Sequence, residues 1–379
     1  MKRCQLWFIA VVCVFSGCRK EEETPEFGSL EEEVDFIMGK YVKMGAALGI
    51  IDQQQEVHTW FYGSLSKNRP QSPDKHSLFE IGSISKTFTN TLLAKKVLEE
   101  RVSLDDPAQD YLPSEEVTLP TWEGTAVRLR HLATHASGIP RVPRESRQPL
   151  PPGYDPNNPY DAYETSYVYD YLNNYCFLEF EPGTAYLYSN TGGGLLGHLL
   201  GLEDGSSYAA LLEREILTPL GMQHTTLDLD SGDIAYLAPG HNDWLDSVAN
   251  YTAYDIFEGA GFIKSSLEDM LIYLKANMGI QGDVEAFEFA QQPQFEVGDV
   301  TYSDRDGVFN LSVGLGWHIH TVSEDDVYCY HGGRTNGYMA FMSFDSGHRN
   351  GFVVLFNHSV PEKINRIGEE LRQAIRKYE

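Results

Sequence analysis

A chain of 379 residues, 42% of them hydrophobic, is long enough to bury a large core as one two-part domain or two domains. Acidic residues outnumber basic ones by 55 to 29, for a formal net charge of −26. That balance argues against nucleic acid and other polyanions as partners, because phosphate binding rests on Lys and Arg; it reads as a solubilising surface.

Lys2 and Arg3 precede an apolar run, Leu6 to Phe15, that is too short to span a membrane and is followed by Ser16-Gly17-Cys18. The pattern resembles a bacterial lipoprotein signal, with residues 1–17 removed and Cys18 lipidated, although Phe15 stands where leucine is usual. Residues 18–28 then read as a charged tether. Its basic residues followed by glutamates are also similar to the surface-export signal of Bacteroidetes lipoproteins. The expected location is the bacterial cell envelope, with membrane anchoring through Cys18. Of five cysteines, only Cys176 and Cys329 remain beyond this segment, and a disulfide between them is left open.

The rest, 29–379, reads as one catalytic domain. Leu30 to Val42 carries Val34, Ile37 and Met38 on one face of a helix. Gly45 to Ile51 and Val57 to Ser64 read as strands joined by a polar turn. An amphipathic helix is expected from Ser83 to Glu100, with a stop at Leu104-Asp105-Asp106-Pro107. From about 105 to 250 the chain is helical and loop-rich, and its Pro- and Tyr-rich loop Pro140 to Tyr160 is long enough to suggest a functional or partner-facing role. Strand patterns return over Leu311 to Thr321, Asp326 to Tyr330, Gly337 to Phe344 and Gly351 to Asn357, and Pro361 to Tyr378 closes as a helix. Strands at both chain ends around a helical insertion predict an α/β (α+β) fold, with one antiparallel sheet flanked by helices and a mostly helical subdomain.

Three S-x-x-K matches occur: Ser64 to Lys67, Ser72 to Lys75, and Ser83 to Lys86. The first two fall in turn-like sequence. Only Ser83 and Lys86 lie on a helical pattern, where i and i+3 share a face and a neutral amine can take the proton of an attacking hydroxyl. The amine must be buried or placed near a cation to be neutral. At a helix N-terminus the backbone dipoles also favour a developing oxyanion.

A second group, Tyr188-Ser189-Asn190, follows a Pro-Gly turn and precedes Gly192-Gly193-Gly194; Tyr171-Leu172-Asn173 has the same spacing without the glycines. The phenol is a candidate partner for the lysine, sharing its proton or serving in deacylation, and Asn190 a candidate ligand for a substrate amide. A third group, His331-Gly332-Gly333-Arg334, is read as lying between two strands. Its small residues admit an extended substrate, its Arg334 N–H can join that of Ser83 as an oxyanion hole, and His331 can touch a substrate carboxylate. His131 and His135 are spaced i, i+4 without the glutamate of a zinc protease, and no metal or cofactor is expected.

S-x-x-K, Y-S-N and H-G-G in this order resemble the serine hydrolases related to class C β-lactamases and penicillin-binding DD-peptidases. Leu132 to Pro140, Pro219 to Met222, Gly259 to Met270 and Val313 to Trp317 extend the likeness over most of the chain. The resemblance implies Ser83 as nucleophile, Lys86 and Tyr188 as the base system, Asn190 as substrate ligand, and a site between an α/β sandwich and a helical subdomain. His331 stands where β-lactamases carry lysine, which is similar to DD-peptidases, D-aminopeptidases and some esterases. The expected activity is an acyl-enzyme peptidase or carboxypeptidase on a small-molecule or peptide substrate; an esterase, a β-lactamase and a slow penicillin-binding sensor are the alternatives.

Overall fold

The computed structural model describes residues 25–143, 148–302, 305–345, 347, 350–359 and 364–378. The signal segment 1–17, Cys18 and the tether as far as residue 24 lie outside the described residues.

Helix α1 (Leu30–Tyr41) starts where Ser29 accepts a hydrogen bond from the Glu32 N–H, with three glutamates in its first turn facing the positive end of the helix dipole. It leads into β1 (Gly45–Ile51), β2 (Val57–Gly63) and the short β3 (Leu78–Glu80). The 3-10 turn Gly82–Ile84 and helix α2 (Ser85–Leu98) follow. After the helical region come β4 (Thr225–Thr226) and β5 (Lys264–Ser266), which complete a small antiparallel sheet with β5 between β3 and β4. Helices continue beyond residue 250, at Asp255–Gly261, Leu267–Asn277 and Val284–Ala290.

The main sheet completes with β6 (Phe295–Tyr302), β7 (Arg305–Val313), β8 (His318–Ser323), β9 (Asp326–Arg334), β10 (Met339–Asp345) and β11 (Asn350–Phe356). Its order is β2-β1-β11-β10-β9-β8-β7-β6. The N-terminal β1 therefore pairs with the C-terminal β11, Ala46 opposite Phe356, and the expected antiparallel sheet built from both chain ends is present. β1, β10 and β11 are buried along their whole length because helices cover both faces. Leu48, Ile50, Phe341 and Val354 face α1 and the C-terminal helix Ile364–Lys377, while Ala47, Met342, Val353 and Leu355 face α2 and its neighbours.

Three expectations need correction. α2 is not amphipathic: every residue from Ser85 to Ala94 is buried. Its threonines are satisfied internally, Thr87 and Thr91 bonding to carbonyls of the preceding turn and Thr89 to Tyr208 and the Gly259 carbonyl. Phe88 stacks on Tyr273 with ring centroids 3.7 Å apart, and each such fully buried large apolar side chain contributes about 2 kcal/mol. Leu311 to Thr321 is not one strand but the end of β7 and start of β8, separated by a turn at Gly316, where φ is +75°. β9 extends beyond Tyr330 to Arg334, so His331-Gly332-Gly333 lies in a strand and not between two. The β6–β7 hairpin has no counterpart in the sequence reading.

Cys176 and Cys329 are buried thiols and form no disulfide with each other.

Candidate active site

Ser83 sits in the 3-10 turn just before α2, and two glycines let β9 pass directly beside it. Gly82 has φ +52°, and a Cβ there would lie 2.5 Å from the Arg334 nitrogen. A Cβ on Gly333 would overlap the Ile81 carbonyl oxygen and stand 3.2 Å from the Ser83 nitrogen. The backbone nitrogens of Ser83 and Arg334 are thereby neighbours, the arrangement an oxyanion hole needs.

Lys86 lies one turn after Ser83 and its Nζ is 3.3 Å from Ser83 Oγ, within hydrogen-bond distance. The same amine donates to Asn190 Oδ1 at 2.9 Å and to the Ala260 carbonyl oxygen. Its stem packs on Gly193, where a Cβ would come within 2.9 Å of Cε. Burial, followed by the positive charge of Arg141, holds the amine well below its ordinary pKa. From sequence alone the cause of that shift is open, with a Tyr188 phenolate as one candidate. The Tyr188 phenol is instead pushed up to about 12 by burial, with Ser83 and Arg141 opposing the rise in part, so it is protonated at neutral pH. Its hydroxyl is buried beside Ser83, and Lys86 Nζ and the Arg141 guanidinium each lie 5.0 Å from the ring centroid.

His331 is buried, and burial, then His318 and Lys86, drive its pKa well below the ordinary histidine value. Its Nδ1 lies 2.8 Å from the Gly332 carbonyl oxygen, which can only accept, so Nδ1 carries the proton and Nε2 a lone pair. Nε2 makes no hydrogen bond. A neutral imidazole attracts a carboxylate less strongly than a lysine ammonium would.

Other side chains complete the site. The Ser189 N–H donates to His135 Nδ1 at 3.2 Å, and the His135 ring packs 4.2 Å from that of Tyr188. His318 meets the Tyr186 hydroxyl at 2.9 Å and lies 5.1 Å from the His331 ring. The Arg141 carbonyl accepts from the N–H groups of Asn190 and Thr191. The Asn190 side chain is engaged at both ends: its Oδ1 holds the lysine, and its Nδ2 donates to the Tyr160 hydroxyl at 2.7 Å.

Ser83, Tyr188, His331, Gly333 and Arg334 open onto a cleft of about 440 Å³ together with Arg141, Tyr186 and His318. Val297, Val300 and Leu311 of the β6–β7 hairpin form an apolar wall. Asn190 sits behind this lining. The structure thus gathers all the sequence-derived candidates except Cys18, which is outside the described residues. Sequence reasoning missed Arg141, His135, His318, Tyr186 and Tyr160. Tyr160 carries a signal in its long loop, whereas His135 enters the sequence reading as half of a metal pair and within the Leu132 to Pro140 likeness, with no catalytic role. The other half, His131, caps the helix Leu129–Ala133 by accepting from the Arg128 N–H.

Residues 30–377 match the Beta-lactamase family. The chain belongs to that family. It is a serine hydrolase, and the fold is that of class C β-lactamases and DD-peptidases. A β-lactamase of Pseudomonas fluorescens is 28% identical over 293 residues, covering 77% of this chain and 74% of that protein. The D-alanyl-D-alanine-carboxypeptidase/endopeptidase AmpH of Escherichia coli K12 is 33% identical over 233 residues, covering 60% of this chain and 57% of that protein. The solved β-lactamase/D-alanine carboxypeptidase from Yersinia pestis, complexed with citrate, superposes with a TM-score of 0.78 at 25% identity over 92% of this chain and 98% of that one.

Proposed function

We propose that this member of the Beta-lactamase family is a D-amino-acid-type peptidase or carboxypeptidase that works through an acyl-enzyme on Ser83. Lys86 takes the Ser83 proton as Oγ attacks the amide carbonyl. The oxyanion rests on the N–H groups of Ser83 and Arg334. Tyr188 gives its proton to the leaving amine and regains one from Lys86; water then attacks by the reverse route. A buried amine held toward its neutral form beside a protonated phenol supplies the base and the acid that this sequence of steps requires.

The observation that carries the substrate choice is the buried neutral ring of His331 lining the cleft where β-lactamases carry a lysine. Such a ring attracts the carboxylate of a β-lactam less than an ammonium would, and histidine at this place is similar to DD-peptidases. Relatives named carboxypeptidases support the same reading. The test is turnover of a D-Ala-D-Ala peptide, a p-nitrophenyl ester and a penicillin by wild type, Ser83→Ala and His331→Lys. Expected are D-alanine release lost in Ser83→Ala, and a gain of about ten-fold in penicillin acylation by His331→Lys, equivalent to ~1.4 kcal/mol of carboxylate attraction. Ester turnover without peptide release would make the enzyme an esterase. Stable penicillin labelling without turnover of any substrate would make it a sensor.

Asn190 can reach a substrate amide only if Tyr160 releases it. Tyr160→Phe removes a bond of about 1 kcal/mol and is expected to lower the peptide KM roughly five-fold with kcat little changed. A raised KM would mean that Tyr160 holds Asn190 in place and does not compete for it.

A further inference from the structure

Away from the cleft, three side chains from separate segments converge at one end of the small sheet. His76 lies two residues before β3, His224 directly before β4, and Glu268 two residues after β5. Because β5 is antiparallel to both β3 and β4, these three chain ends share one edge. One ligand atom from each residue lies within 4.8 Å of the others. The His76 and His224 rings have centroids 4.9 Å apart, and His76 Nδ1 is 3.1 Å from Glu268 Oε2. That nitrogen is itself buried and makes no hydrogen bond, so it faces a carboxylate oxygen without using it. Lys75 donates to the other oxygen, Oε1, at 2.6 Å, which leaves Oε2 on the histidine side.

We propose that His76, His224 and Glu268 form a binding site for a divalent transition ion of the Zn(II) type. Two imidazole nitrogens and one carboxylate oxygen suit such an ion, with water as the fourth ligand, whereas Mg(II) and Ca(II) prefer all-oxygen sets. The backbone around it is fixed, since the His224 N–H and the Thr225 hydroxyl both donate to Asp269 Oδ2. None of the three ligands lines the catalytic cleft, so the ion is a structural staple. It would tie β3, which runs into the Ser83 turn, to β5, which follows the Ala260 carbonyl that holds Lys86.

The test is titration of the metal-stripped chain with ZnCl2 by calorimetry, with melting followed in parallel. Expected are one ion bound per chain and a melting temperature raised by about 5 °C at a hundred-fold excess over Kd, reversed by EDTA. His76→Ala and His224→Ala should each weaken binding at least ~10-fold, with the hydrolysis rate of metal-free His224→Ala equal to that of metal-free wild type. Lys75→Met, which frees the second carboxylate oxygen, should tighten it. No stoichiometric binding, equal binding of CaCl2, or binding that survives in the His76→Ala/His224→Ala double variant would overturn the proposal; the last would place the ion on other histidines.

Discussion

Lys86→Met is expected to lower kcat/KM by about 1,000-fold or more, because it removes the amine positioned to accept the Ser83 proton. Methionine keeps the length of the buried stem, so the loss reports chemistry more than packing. In the wild type the amine must be neutral, and the rate should fall as pH drops through its lowered pKa; the residual rate of the variant should lack this acid limb. Stability gives an independent readout. A lysine whose folded pKa lies below its unfolded value of about 10.4 binds fewer protons folded than unfolded, so the wild type loses stability as pH falls from about 10.4 toward the folded pKa. A methionine side chain does not titrate and has no such dependence. The melting temperature of the variant relative to wild type should therefore rise as pH is lowered from about 10 to about 7. A constant difference would mean that Lys86 is charged in the fold, and kcat/KM within about ten-fold of wild type would remove it as the base.

Gly333→Ala is expected to cost about 100-fold in kcat with a smaller change in KM, and about 1–3 kcal/mol of stability. The added methyl overlaps the Ile81 carbonyl oxygen, a backbone atom that cannot turn aside as a side chain can. The strand must back away from the nucleophile turn, carrying the Arg334 N–H with it. Gly332→Ala is the control: its Cβ would meet Ile364 Cδ1 at 3.1 Å, the movable end of a side chain. Equal losses in the two variants would show that the oxyanion site does not depend on the close approach of β9.

The periodicities that were legible and those that were not have a common explanation. α1, β1 and β2 were readable because each carries its own pattern, an apolar face for the helix and short β-rich runs with turn residues between them. The β6–β7 hairpin was not, since its alternation is interrupted by register shifts between Glu296 and Gly298 and between Val300 and Tyr302 that only pairing with β7 accommodates. α2 showed apolar spacing at one face only, yet it is buried all round. Its threonines enter the core because partners from distant segments, Tyr208, Gly259 and Tyr273, bond to Thr89 and Thr87.

The nucleophile and base were legible for a related reason. Ser83 and Lys86 are three residues apart, and helical geometry alone puts them on one face, so the sequence by itself determined that an S-x-x-K pair would meet and that an antiparallel sheet would close from both chain ends. Only the tertiary structure decided the state of those groups. Lys86 meets Asn190 across 104 positions and the Ala260 carbonyl across 174, and its lowered pKa arises from burial by such remote segments and from the charge of Arg141. The proton on His331 was decided in the same way, by a strand that runs on to Arg334 and by its burial beside His318. Local spacing encodes which side chains share a face; desolvation, tautomer and charge depend on everything packed around them, and that is set only when the chain has folded.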